Sequence, residues 1–193
     1  MALPKSTDTP RLRYLHALVQ SATEGGWADW PMLNDRDYTQ IGKIVVLYSY
    51  IDVNIRRIVE AAENAGCLNA PWKGSVRKLR IGEAEEAVLS LDWSESNEQA
   101  LKHIADRRAT RNLIAHFAVR RFPNDDAYLF FTKSDRDYKQ LYGVDPEPGM
   151  VMTAVMECAQ INDAFKHIQA LQLWISKATA EAEKLFINLK LNI

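Results

Sequence analysis

Cysteine is scarce: Cys67 and Cys158 are the only two in 193 residues, and neither belongs to a paired-ligand spacing. A disulfide-stapled scaffold is excluded, and with only four scattered histidines a structural zinc site is disfavoured. No secretory leader is read in Met1–Arg11, so both thiols are expected to be reduced and buried in a cytoplasmic protein. No apolar run approaches the roughly 20 residues that cross a bilayer, so no membrane partner is expected. Basic excess is missing too. Lys and Arg number 24 against 25 Asp and Glu, a net charge of −1, so any attraction to nucleic acid has to come from a local patch. Internal repeats, low-complexity tracts and sustained heptads are absent, which argues against solenoids and long coiled coils.

What is present is ordinary for a globular chain: 47% hydrophobic and 25% charged residues, enough for one domain over 1–193 with a substantial core. After a loose start at Met1–Pro10, a short helix is expected over about Arg11–Ala22, with Leu12, Leu15, Leu18 and Val19 at helical spacing and Gly25-Gly26 as its end. Trp27, Trp30 and Pro31 form an aromatic turn, read as a packing lid that completes an N-terminal segment 1–35. The clearest helix runs from about Thr39 to Asn64 and is closed by Gly66. Its apolar stripe is Ile41, Ile44, Val45, Tyr48, Ile51, Ile55, Ile58, Val59 and Ala62, and Asp52 falls inside it. A carboxylate in a dry stripe needs a partner, and Arg108 or Arg111 are the chemical candidates.

Gly66–Gly82 is a connection holding Pro71, Trp72 and Gly74, with Lys73, Arg77, Lys78 and Arg80 clustered along it. Such a run is either a solvated face or a phosphate track with Trp72 available for stacking. Glu83–Leu91 reads as a short acidic helix, and Ser94 or Ser96 opens the next one, Ser96 with Gln99 having capping-box spacing. Past His116 the period changes to alternation: Phe117–Phe122 and Tyr128–Thr132 flank Pro123-Asn124-Asp125-Asp126, a β-hairpin over 117–133 that places Arg120 and Arg121 just beyond the helix. A polar loop at Ser134–Gly149, with Gly143, precedes a final helix from about Met150 to Asn188 whose core side is Val151, Val155, Cys158, Ile161, Phe165, Ile168 and Ile175. The expected fold is all-α, an up-and-down helical bundle with a small β-hairpin insertion after the fourth helix.

The unusual stretch is Arg107-Arg108-Ala109-Thr110-Arg111-Asn112-Leu113-Ile114-Ala115-His116. At about 100° per residue, Arg108, Arg111 and Ala115 share a sector with Leu101 and Ile104, so two arginines lie in a stripe that should be dry. A guanidinium stays protonated and needs several acceptors, so this face is either a salt-bridged packing surface or a site. Asn112 and His116 project from one side, about 40° apart. Arg111 and His116 stand about 140° apart on a straight helix. They meet only if the arginine curls round, if the helix bends or ends near His116, or if two copies pool their residues.

Arg111-Asn112-Leu113-Ile114-Ala115-His116 resembles the Arg-polar-(x)3-His signature of HEPN domains, helical proteins many of which are metal-independent ribonucleases. As topology the resemblance runs from about Ile41 to Phe186; as identity it is confined to the motif. The first 35 residues and the hairpin have no counterpart in it. The resemblance implies Arg111, Asn112 and His116 as catalytic residues and Asp52, on the earlier helix, as a supporting one; Arg108, a chemical candidate to pair with Asp52, is the other supporting residue. It implies RNA as substrate, no metal or cofactor, and a homodimer whose two motifs share one cleft. Arg107, Arg120 and Arg121, with Lys73, Arg77, Lys78 and Arg80, would hold the strand. A toxin role, with an antitoxin protein as partner, is a further implication. The chemistry suits these side chains: histidine titrates near neutrality, and arginine offers fixed donors to phosphate oxygens. Attack by the RNA's own 2′-hydroxyl would leave a 2′,3′-cyclic phosphate. Two other readings stand beside it: a non-catalytic helical interaction or RNA-binding module, in which the arginines make salt bridges and His116 is a helix cap, and an enzyme acting on a small phosphate or nucleotide.

Overall fold

The computed structural model describes residues 9–22, 26–68, 71–73, 76–93, 95–136, 139, 145–149 and 151–191. The expectations for the loose first residues, Gly25, Gly74, Ser94, Gly143 and Met150 lie outside the described residues. Within them the chain is mostly helical: α1 (Pro10–Ser21), α2 (Asp35–Asn64), α3 (Ile81–Leu89), α4 (Glu95–His116) and α5 (Cys158–Leu191). Three strands, β1 (Ala118–Arg121), β2 (Ala127–Thr132) and β3 (Met152–Glu157), form one antiparallel sheet in the order β1-β2-β3. The contacts divide the chain into two compact units, one of residues 1–45 with 108–165 and the other of 46–107 with 166–193.

The first unit is built on the sheet. The expected hairpin forms, with Arg120 opposite Leu129 and Arg121 opposite Tyr128. The third strand corrects the expectation of a bare insertion and of a final helix starting near Met150. β3 lies along the other edge of β2, Leu129 opposite Val155, and α5 begins only at Cys158. The physical reason is twofold. A two-stranded ribbon is marginal by itself, and alternate β-branched residues at Val151, Thr153 and Val155 suit a pleated strand better than a helix.

β2 is paired along both edges, and Ala127, Tyr128, Leu129 and Phe130, which alternate between its faces, are all buried. Ala127 and Leu129 join Leu12, Leu15 and Val19 of α1, Trp27 and Phe122 in one apolar cluster. Trp27 donates its Nε1–H to Val19 O at 3.3 Å, and Trp30 packs against Phe122 as a tilted ring pair with centroids 4.7 Å apart. The aromatic turn is therefore packing, as its residue types suggest. α1 starts at Thr9, whose Oγ1 accepts from Leu12 N, a side-chain cap just ahead of Pro10.

α2 starts at Asp35, four residues ahead of the expected Thr39 and six ahead of Ile41, the first residue of its apolar stripe. Asn34 Oδ1 accepts from Asp37 N at 3.0 Å while Asp37 Oδ2 accepts from Asn34 N at 2.9 Å, a reciprocal cap that satisfies two otherwise orphaned donors. At its far end Gly66 takes φ +72°, and Cys67 N reaches back to Ala62 O at 2.9 Å, closing the helix as expected.

The second unit is helical. Its core is Tyr48, Ile51, Ile55, Ile58, Val59 and Ala62 of α2, with Ala84, Ala87 and Val88 of α3, Leu101 and Ile104 of α4, and Ile168, Ile175 and Ala178 of α5. Of the stripe read along α2, Ile44, Tyr48, Ile51, Ile55, Ile58, Val59 and Ala62 are buried, while Ile41, Val45 and Asp52 are half-buried. Two smaller expectations need correction. α4 begins at Glu95, so Ser96 lies inside its first turn and does not cap it. Cys158 is buried but Cys67 is only half-buried. No described helix is long and apolar enough to cross a membrane.

Candidate functional site

The end of α4 settles the spacing problem posed by the sequence. The helix terminates at His116, and Arg111 Nη1 lies 3.5 Å from His116 Nε2 and 3.2 Å from Asn112 Oδ1, to which it donates. One long side chain reaching along the last turn brings together groups that a straight helix holds about 140° apart. A guanidinium has donors only, so a hydrogen bond between the two requires the ring nitrogen to accept. His116 is exposed, while Arg111 and Asn112 are half-buried.

Beneath them Leu113 and Ile114 are buried, anchoring this turn, and Arg108 is buried one turn earlier at 8% exposure. Ala115 is exposed, so the dry sector follows Leu113 and Ile114 at the helix end and leaves Ala115 outside it. Arg111 has no carboxylate partner among the described residues, and its Nε is buried without any hydrogen-bond partner. A buried, unsatisfied guanidinium nitrogen is uncommon and asks for an acceptor.

Arg120 and Arg121, neighbours in sequence, are separated by the pleat. Arg120 stands on the face of its register partner Leu129, half-buried, with its Nε also lacking a partner among the described residues. Arg121 is removed from the phosphate-binding set by its own contacts. Its Nη1 donates to both oxygens of Asp37 at 2.8 and 3.0 Å and its Nη2 to Asp126 at 2.9 Å. Two carboxylates occupy its donors, and the guanidinium is held charged beside Asp37.

Asp37 is the residue that sequence reading missed. It is 2% exposed and also accepts from Tyr128 Oη at 2.7 Å. Burial pushes its carboxyl upward, yet hydrogen bonds from Tyr128, Asn34 N and Arg121 together outweigh that and hold it below the usual carboxylate range. Tyr128 is pushed upward, first by burial and then by its neighbours Cys158 and Asp37. The Cys158 thiol, pushed up to about 11 mainly by burial and next by Asp126, is an inert group in this cluster. The signal in the sequence was Asn34-x-x-Asp37, a capping pattern lying outside the apolar period.

The remaining site residues belong to the second unit. Asp52 is half-buried on α2 and Arg107 half-buried on α4. Lys73, Arg77, Lys78 and Arg80 are all exposed, Arg77 and Lys78 on a 3-10 turn at Val76–Lys78 and Arg80 at the cap of α3, where its backbone N–H donates to Glu83. No family model matches this chain, and neither a curated protein nor a solved structure matches it.

Proposed function

We propose that the chain is a HEPN-like, metal-independent endoribonuclease whose reactive groups are Arg111, Asn112 and His116. The observation that carries this reading is the 3.5 Å approach of Arg111 Nη1 to an exposed His116 Nε2, with no carboxylate on the arginine among the described residues. A structural arginine is normally neutralised, as Arg121 is; Arg111 retains donors for an incoming anion.

When a phosphodiester enters, its non-bridging oxygens replace Asn112 Oδ1 and His116 Nε2 as acceptors of the guanidinium. Nε2 is then free to take the proton of the adjacent 2′-hydroxyl. The 2′-oxygen bonds to phosphorus, the bond from phosphorus to the 5′-oxygen breaks, and the leaving oxygen takes a proton from a second acid. In a homodimer with both motifs in one cleft, the partner's His116 supplies it. The products are a 2′,3′-cyclic phosphate and a 5′-hydroxyl. Toxin activity restrained by an antitoxin protein is the biological setting this chemistry suits, in an up-and-down helical domain of the HEPN kind.

Cleavage of single-stranded RNA in EDTA tests the reading. His116→Ala is expected to lower the rate by at least about 100-fold, the lower range for a lost acid–base group, with thermal unfolding unchanged. Equal cutting by the variant takes His116 out of the mechanism. A second reading, a non-catalytic RNA-binding module, is favoured by one observation: Lys73, Arg77, Lys78 and Arg80 are exposed together away from the motif turn in sequence. Under that reading RNA binds and is recovered uncut.

A further inference from the structure

A cleft of about 320 Å³ in the first unit is lined by Arg36, Thr39, Gln40 and Lys43 of α2 and by Asn162 and Phe165 of α5. No carboxylate lines it, in a chain whose acidic residues outnumber its basic ones. Arg36 and Lys43 are exposed, and neither has a hydrogen-bond or ion-pair partner among the described residues. They stand seven residues apart, two turns of one helix face and about 10 Å along its axis. Between them Thr39 offers a hydroxyl, and the floor is fixed by a hydrogen bond from Gln40 to Asn162. Phe165, half-buried, presents its ring at the α5 wall.

We infer that this cleft is a subsite for the backbone of single-stranded RNA, with Arg36 and Lys43 each taking a phosphate, Thr39 and the amides contacting sugar or phosphate, and a base stacking on Phe165. Cations spaced along a helix follow a strand, whereas a lone anion needs converging donors; an aromatic wall supplies the sequence-tolerant part of such binding. The Asp37 beside this segment is turned to Arg121 and Tyr128, so its charge is already neutralised. The identity of the ligand rests on the ribonuclease reading; the phosphate chemistry of the cleft does not.

The test is titration of a fluorescent 2′-O-methyl RNA, which cannot be cut, against the full chain carrying His116→Ala, across a salt series. Adding Arg36→Ala or Lys43→Ala is expected to weaken binding several-fold and to reduce the slope of log affinity on log salt by about 0.7 for each cation removed. Phe165→Leu should weaken binding with the slope unchanged, since stacking releases no counterions. Arg136→Ala, an exposed cation outside the cleft, serves as control. Unchanged affinity and slope in the Arg36→Ala/Lys43→Ala double variant overturns the inference. Direct binding of inorganic phosphate that is lost in the double variant while RNA affinity is unchanged likewise overturns it, and makes the cleft a simple anion site. Slope loss without cleavage by the wild type retains the cleft and removes the nuclease; cleavage with an unaffected slope does the reverse.

Discussion

Asp37 accepts hydrogen bonds from the phenol of Tyr128, the guanidinium of Arg121 and the backbone of Asn34, so this one buried carboxylate ties a helix start to two paired strand residues. Removing its charge leaves Arg121 with only the exposed Asp126 as a carboxylate partner among the described residues, and Asp37→Asn is expected to cost roughly 3 kcal/mol at pH 7. The sign of its pH dependence follows from a folded value held below the unfolded one. Its stabilisation is complete above the unfolded pKa of about 3.9 and is lost as pH falls through the lower folded value. Urea unfolding of wild type and Asp37→Asn should therefore begin to converge only as pH falls below about 4; parallel curves down to pH 2 would remove Asp37 from the account. At this scale the motif was legible because arginines in an apolar sector conflict with burial. Asp37 was not, because its partners Arg121 and Tyr128 become neighbours only through strand register.

At the scale of elements, the long apolar period of α2 identified that helix and its core face, and Gly66 marked its end. Where period and capping disagree, capping decides: the polar turn Asp35-Arg36-Asp37 carries no apolar signal but is held by Asn34. β3 was hidden for another reason. Val151 and Val155 fit a helical stripe as well as a strand, and only the unpaired edge of β2 discriminates between them. Two glycines of α2 and its end offer a paired test. Gly66 occupies the left-handed region at φ +72°, so Gly66→Ala should cost about 1 kcal/mol and lower Tm by roughly 2–4 °C. Gly42 lies within α2 with ordinary backbone and nothing within 4 Å of an added Cβ, so Gly42→Ala should stabilise by about 0.5–1 kcal/mol. Calorimetry showing both shifts of the same sign would contradict the backbone argument.

For the whole molecule, composition predicted a helical globular chain and missed that its strands form a three-membered sheet. The division into two units was not legible, because it cuts α2, α4 and α5 inside the helices, where no linker composition marks a boundary. A net charge of −1 leaves nucleic-acid attraction to local surfaces: the exposed Lys73, Arg77, Lys78 and Arg80 in one unit and the Arg36/Lys43 cleft in the other. The proposed mechanism needs a second histidine, so the protein should sediment at twice its 22.0 kDa chain mass and lose specific activity on dilution. Full activity from a monomer would dispense with the shared cleft while leaving the Arg111–His116 pair in place.

The chemistry itself is tested by one oligonucleotide: a DNA strand holding a single ribonucleotide, incubated with the protein in EDTA and analysed for its new termini. The Arg111–His116 pair predicts a single cut on the 3′ side of the ribonucleotide, ending in a 2′,3′-cyclic phosphate and a 5′-hydroxyl, and no cut in His116→Ala. An intact strand, cuts at deoxynucleotides, or a product bearing a 5′-phosphate would contradict it.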